Sequence, residues 1–410
     1  MDSLSQIVLG AAVGEAVLGR RIGNRAMIWG AVAGTIPDMD VLGKYFLSEL
    51  DNLAFHRGIS HSLFFCVLGA LAIGWVTDRL YRSRYHAWLA MSTKAAAAVI
   101  VCFVVNFLTQ IFDPGAWWPV AVYIPLVAFW LWNHGQRRYF AGNWEAPEAG
   151  LRGWILLFFW GFLTHVLLDC FTTYGTQIFA PFSNQRVAWG TVSVVDPLYT
   201  LPFLICVLIA ARFARNDARR TVWNRVGLAW SCLYLALTAV NHTHVQKTVE
   251  GALEEQSERY NQFMITPTIF NNLLWNVVVD AGDEFLLAQY SILDEVPIAF
   301  HSVSKGYDLL QHMDADETIG VLQWFSAGYL NAVRREDGVL QLNDLRFGTF
   351  SGRAENADDY IFRFELFEQE LGQPYGFKRA EGGPPNMKAE EMMIGLIERA
   401  GGLSDHGLTD

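Results

Sequence analysis

The 410-residue chain is poor in charge: 17% of its residues are Asp, Glu, Lys or Arg, against 52% that are hydrophobic. Cysteine is scarce and one-sided. Cys66, Cys102, Cys170, Cys206 and Cys232 all fall in the first 244 residues, and the rest of the chain has none. No C-x-x-C pair occurs, so neither a zinc knuckle nor a disulfide framework is available, and the five read as small buried hydrophobes. The first apolar run has no basic stretch ahead of it and carries Glu15 inside it, so no cleavable signal peptide is expected. No internal repeat is evident. Positive charge is what the tail lacks: residues 245–410 hold 12 Lys/Arg against 28 Asp/Glu, a net −16. Such a tail repels nucleic acid and anionic lipid surfaces, and neither is its expected partner.

Residues 1–244 are the opposite, with 18 Lys/Arg against 13 Asp/Glu, a net +5. Apolar runs recur there at about 4–19, 26–36, 61–77, 95–112, 118–133, 153–171, 197–213 and 224–241. Most approach the roughly 17–25 residues that cross a bilayer. The second is too short to span alone; Gly10, Gly14, Gly30 and Gly34 would let it close into a hairpin with the first. Of the 18 basic residues, 15 lie in alternate connections, and only Lys44, Arg57 and Arg186 lie in the others. The positive-inside rule makes the basic connections cytoplasmic, with both ends of an eight-helix bundle outside. Trp117, Trp118, Trp132 and Trp154 fall near run ends, as an aromatic belt would.

The pattern is mainly α: a polytopic helical membrane bundle of about eight helices, two of them short, over 1–244. A smaller soluble α+β domain over 245–410 follows on the extracytoplasmic side, which in a bacterial inner membrane means the periplasm. In that domain QKTVEGALEEQSERYNQF reads as helical, and LLWNVVV with EFLLAQYSIL as a β-hairpin. A helix is expected over roughly 315–335, strands near 339–350 and 359–368, a loop over 371–385 and a short helix after it.

Polar residues interrupt the apolar pattern at one rim. Pro37 in GTIPDMD stops run two and leaves Asp38 and Asp40 in extended chain. FHRGISHSL follows with His56 and His61, five apart and therefore not on one helical face. His56 is placed on the incoming loop and His61 on the first turn of run three, with Ser60 as N-cap and Gly58 allowing the turn. In FLTHVLLDC, His165 and Asp169 are four apart, on one face near the outer end of run six. Each has a plain alternative: solvated histidines, aspartates capping a turn, a polar staple between helices. Six such residues meeting at one depth from three distant stretches point instead to a metal site. Mixed His/Asp donors suit Zn²⁺ first, with Mn²⁺ or Fe²⁺ also possible, as one ion or as two bridged by an aspartate.

Arg57 lies inside that cluster and Arg186 follows the loop APFSNQR. Both would suit an anionic substrate such as a phosphate, though pairing with Asp38, Glu49 or Asp51 is the competing reading for Arg57. Glu15 either supports the cluster or pairs with a cytoplasmic arginine. Asp196 reads as a helix N-terminal charge. His242 and His244 sit at the outer end of run eight, and His86 and His134 fall on the cytoplasmic side.

The pieces PDMD (37–40), FHRGISHSL (55–63) and THVLLDCFTTYGTQIFAPFS (164–183) resemble the LexA-regulated, membrane-bound metal-dependent hydrolases of bacteria, the YdjM-like inner-membrane proteins. The likeness covers roughly the first half of the chain. It implies a multi-pass inner-membrane hydrolase domain with Asp38, Asp40, His56, His61, His165 and Asp169 as the metal and catalytic set. Two positions depart from the pattern: Gln6 and Val41 stand where many relatives carry histidine. The ligand set here is therefore smaller, or another residue completes it. TPTIFNNLLWNVVV resembles the tail of longer relatives, which carry the same outer extension.

The expected chemistry is hydrolysis of an ester or phosphoester, lipid-linked by its place at the outer leaflet. The metal activates water, Asp38 or Asp169 takes the proton, and Arg57 meets developing charge. The rival is a non-catalytic metal-binding scaffold or transporter engaging a periplasmic partner. The clustering at a single rim weighs against transport. The lipid bilayer is the one partner expected; no protein partner is legible.

Overall fold

The computed structural model describes residues 1–112, 115, 118–140, 146–311, 313, 316–369, 375–380 and 389–403. Trp117 and most of the expected 371–385 loop lie outside them.

The apolar runs become helices. α1 (Ser3–Ile22) and α2 (Asn24–Thr35) form the expected hairpin. Gly10 and Gly14 face Gly30 and Gly34 so closely that a Cβ on any of the four would strike the opposite backbone, which is why no larger residue fits. A short α3 (Glu49–Phe55) precedes α4 (Leu63–Tyr81), α5 (His86–Phe112), α6 (Trp118–Gly135) and α7 (Leu151–Cys170). α8 (Pro197–Ala211) and α9 (Ala218–Glu255) complete the helical region. Asp2, Ser62, Asp196 and Asp217 cap α1, α4, α8 and α9 by accepting from backbone N–H groups in the first turn. Phe158 and Phe162 of α7 pack against Trp29 and Ala33 of α2 and Cys66 and Ala70 of α4. Glu15 takes the second of its two expected roles: it receives Arg220 Nε at 2.6 Å, both side chains buried.

Among the described residues, α4 and α7 are long and apolar enough to cross a membrane, and α8 is apolar but 15 residues long. Of the roughly eight helices expected, two of them short, those that fall short of a span on their own do so for plain reasons. α1 carries Glu15, Arg20 and Arg21, α2 has 12 residues, and α9 turns polar beyond Asn241.

The C-terminal part is built on two antiparallel four-stranded sheets, each in sequential order. The first holds β1 (Gln262–Pro267), β2 (Leu274–Asp280), β3 (Glu284–Ser291) and β4 (His301–Ser304). The second holds β5 (Leu330–Arg334), β6 (Leu340–Asp344), β7 (Arg363–Phe367) and β8 (Gly376–Arg379). α10 (Glu317–Phe325) and α11 (Ala389–Ala400) accompany them. α9 runs without a break past residue 244, and its last turns place Val245, Val249 and Leu253 against Ile265, Trp275 and Val277 of the first sheet. The second sheet packs on α10 and also takes Leu50 and Leu53 of α3 and Tyr174 of the helical region.

Three expectations are corrected. The helix expected over 315–335 ends at Phe325; Gly328 at φ +83° turns the chain and β5 begins at Leu330. QKTVEGALEEQSERYNQF is helical only to Glu255, and its last two residues open β1. Residues 376–379, expected as loop, pair with β7 as β8.

Candidate metal centre

Three stretches of chain meet at the end of α7. After α2, Pro37 opens a run of 3-10 turns, Pro37–Tyr45, so Asp38 and Asp40 are wound rather than extended as expected. In FHRGISHSL, α3 ends at Phe55, His56 is extended, and His61 closes a 3-10 turn, Ile59–His61. The left-handed residue is Arg57 at φ +56°, not Gly58, and the α4 cap is Ser62, not Ser60. Ser60 instead donates its hydroxyl to Asp40 Oδ2 at 3.1 Å. His165 and Asp169 sit one turn apart on α7, both buried.

Asp38, His61, His165 and Asp169 bring one donor atom each to a common point. His61 Nε2 is 3.1 Å from His165 Nε2, 3.3 Å from Asp38 Oδ1 and 3.4 Å from Asp169 Oδ2. His165 Nε2 is 3.5 Å from Asp38 Oδ1 and 3.6 Å from Asp169 Oδ2. Bonds of about 2.0–2.2 Å at tetrahedral angles set donors roughly 3.3–3.6 Å apart. The five distances between the imidazole nitrogens and their neighbours are close to those edges, and all four donors lie within 4.8 Å of one another.

The surrounding hydrogen bonds orient the donors. His165 Nδ1 lies 2.7 Å from the Gly34 carbonyl, which can only accept, so that nitrogen carries the proton and Nε2 presents a lone pair. His61 Nδ1 faces Ser60 Oγ at 3.0 Å and Asp40 Oδ2 at 3.3 Å, which leaves its Nε2 likewise aimed inward. Two lone pairs 3.1 Å apart repel unless a proton or a cation lies between them. Asp169 Oδ2 is buried and accepts no hydrogen bond, while its Oδ1 receives Gln6 Nε2 at 2.8 Å and the Met1 amino group at 2.5 Å. Three carboxylates against Arg57 and that amino group leave net negative charge, which a cation offsets. The donor set, the facing lone pairs and the charge fit a divalent metal.

The acidities agree. Burial pushes the Asp38 carboxyl up, but the His165 and His61 imidazoles hold it well below the usual carboxylate range. Asp40 is held low in the same way by His56 and His61. His61 is lowered by burial and raised by more through its hydrogen bonds to Asp38 and Asp40. Without a metal the cluster binds protons, so metal and proton compete for it.

The remaining expected residues are placed differently. Asp40 lies behind the donors: it takes His56 Nδ1 at 2.9 Å and the Arg57 backbone N–H at 2.8 Å. His56 therefore reaches the centre only through Asp40, with its ring against Tyr174. Arg57 is buried, its Nε 3.2 Å from Asp169 Oδ2 and its Nη1 donating to Thr172 Oγ1 at 3.0 Å; it is ion-paired, but with Asp169 rather than with Asp38, Glu49 or Asp51 as expected. Arg186 stacks on Tyr174, Trp324 and Phe325, and burial lowers its pKa to about 10. It is not brought to the donors. Asp196 caps α8 and receives the Tyr234 hydroxyl. His242 packs on Trp275, away from the cluster.

Gln6 stands out in the sequence only as a departure, and Tyr174 does not stand out at all. The Tyr174 ring touches His56, Arg57 and Arg186 on one side and Phe325 and Phe347 of the C-terminal domain on the other. An aromatic residue a few positions after a ligand, in FTTYGT, was the one available signal.

Apolar helices of spanning length with a His/Asp cluster buried at one end define a membrane protein with a candidate metal centre. The chain belongs to the YdjM inner membrane protein family, whose profile matches residues 1–245, the stretch that holds every donor. No curated protein and no solved structure matches the chain.

Proposed function

We propose that the protein is a multi-pass, metal-dependent hydrolase of the inner membrane. It acts on an ester or phosphoester carried by a membrane lipid, at the outer face. The observation that carries this reading is the set of four donors within 4.8 Å of one another, two of them imidazoles whose far nitrogens are committed to Gly34 and to Asp40. When bound, one ion of the Zn²⁺, Mn²⁺ or Fe²⁺ class supplies Lewis acidity and an acidified water. A second ion has fewer donors available, because His56 and Asp40 are spent on each other.

The protein's own groups divide the remaining work. Asp38 is the donor whose side chain is partly exposed, 23% against 0% for the other three, so substrate enters on its side. Asp169 is occupied by Gln6, Met1 and Arg57, which leaves Asp38, through the carboxylate oxygen that is not a donor to the ion, as the group to take a proton from water. Arg57 holds a buried guanidinium beside Asp169, where charge gathers on a substrate oxygen. Positive-inside logic, with 15 of 18 basic residues in alternate connections, supports a multi-pass bundle of about eight helices, two of them short, and a periplasmic C-terminal domain.

One observation favours a second reading: four protein ligands fill a tetrahedral ion, as in structural sites. The test is a screen of metal-reloaded protein on phosphoester and lipid-ester substrates, with Asp38→Asn alongside. Metal-dependent product release, lost in Asp38→Asn, supports the hydrolase. Bound metal with no turnover on any substrate supports a scaffold.

A further inference from the structure

The C-terminal domain repels an anionic bilayer as a whole, at net −16 over residues 245–410, yet one place on it reverses that sign. β8 ends in two adjacent exposed cations, Lys378 and Arg379. They line a cavity of about 780 Å³ that is also lined by His56 and Tyr174 of the candidate centre and Lys44 of the turn after α2. The size suits a small ligand. Among the described residues, Glu49 and Glu365 are the acids that line it. Glu365 is already paired with Arg335 at 2.7 Å as well as with Lys378 at 2.9 Å, and the described lining, with Lys44, Lys378 and Arg379 against these two acids, is net positive. The Arg379 guanidinium lies 4.1 Å from the Phe362 ring centroid. Stacking on an aromatic face orients a guanidinium without using its N–H donors, which leaves them for a planar or tetrahedral oxyanion.

Apolar surface adjoins this charge. Val41 and Leu47 line the same cavity, and between them Tyr45 and Phe46 are 69% and 86% exposed. Exposed aromatics next to a cationic pocket at one end of apolar helices are the arrangement of a membrane–water interface.

We propose that this cavity is the subsite for the phosphate headgroup of a lipid. The C-terminal domain contributes Lys378 and Arg379, the helical region contributes Lys44, and the acyl chains lie along Val41–Phe46. The inference deepens the hydrolase reading and rests on it for what happens to the headgroup beside His56; the binding itself does not need the metal. The C-terminal domain thereby closes the cavity and selects anionic headgroups.

The test uses full-length protein in a neutral detergent, treated with a chelator, so that a failure of the metal reading cannot affect it. Dioctanoyl phosphatidic acid, dioctanoyl phosphatidylcholine and inorganic phosphate are titrated by calorimetry. Wild type is expected to bind phosphatidic acid more tightly than phosphatidylcholine, and Lys378→Gln/Arg379→Gln to bind it about tenfold more weakly at low salt. Lys378→Arg, which keeps the charge at the unstacked position, and the remote control Arg334→Gln should stay within about threefold of wild type. Equal affinity in wild type and the Gln pair overturns the subsite, as does phosphatidylcholine bound as tightly as phosphatidic acid. Inorganic phosphate binding as tightly as phosphatidic acid overturns the lipid as the source of the phosphate.

Discussion

Asp40→Asn separates a ligand from a residue that orients one. The sequence groups Asp40 with the donors, whereas the fold puts it one step behind them, holding His56, the Arg57 backbone, Ser60 and His61. The amide keeps the shape and one carbonyl oxygen. It loses the charge between two imidazoles and turns an NH₂ toward groups that themselves donate. His61 then loses the partner that fixes its Nδ1 proton, and its Nε2 is less firmly aimed. Loss of such an outer partner lowers metal affinity about 10–100-fold, which is roughly 1.4–2.7 kcal/mol. Chelator competition reads the affinity, and elemental analysis at saturating metal reads the stoichiometry. Asp40→Asn should bind as much metal as wild type at saturation, with the affinity loss above. His165→Ala should lose the metal. Asp40→Asn losing metal as completely as His165→Ala, or an affinity within about twofold of wild type, would refute the placement of Asp40.

Glu15→Gln leaves Arg220 buried without its carboxylate partner, and should cost about 3–5 kcal/mol in thermal unfolding in detergent, with Glu15→Asp much milder. Gly14→Val should prevent the α1–α2 hairpin and with it accumulation of folded protein. Gly251→Ala, on α9 with open space around it, should stabilise by about 1 kcal/mol. Tyr174→Ala should destabilise by about 3 kcal/mol and weaken metal binding, whereas Tyr174→Phe keeps the ring and both properties. A cysteine at Asp283, in the exposed β2–β3 turn, should react with an impermeant maleimide in intact spheroplasts; labelling only after lysis would reverse the proposed sidedness.

Much of the helical region is legible because apolar runs and their caps are local signals. Runs one, two, three, six and seven end within a few residues of α1, α2, α4, α7 and α8. The run at 224–241 underestimates α9, whose last turns are held by a β-sheet that hydropathy cannot report. The His/Asp cluster is legible in part, four of the six expected residues being brought together, since burying acids and imidazoles at one rim of apolar segments is costly unless a function retains them. Its internal order is not. Whether His56 or His61 faces the ion depends on a left-handed residue at Arg57 and on which carboxylate turns inward, and both are settled by packing. Tyr174 and the cationic end of β8 are invisible for the same reason: each matters only because the C-terminal domain folds back onto α3 and the loop after α7.

The most direct test of the centre is X-ray absorption at the metal edge, with elemental analysis, on protein purified without chelators. One divalent ion per chain is expected, with a first shell of nitrogen and oxygen only and the scattering signature of two imidazoles, lost in His61→Ala and His165→Ala. Sub-stoichiometric metal in wild type, or sulfur in the first shell, would contradict the four-donor centre.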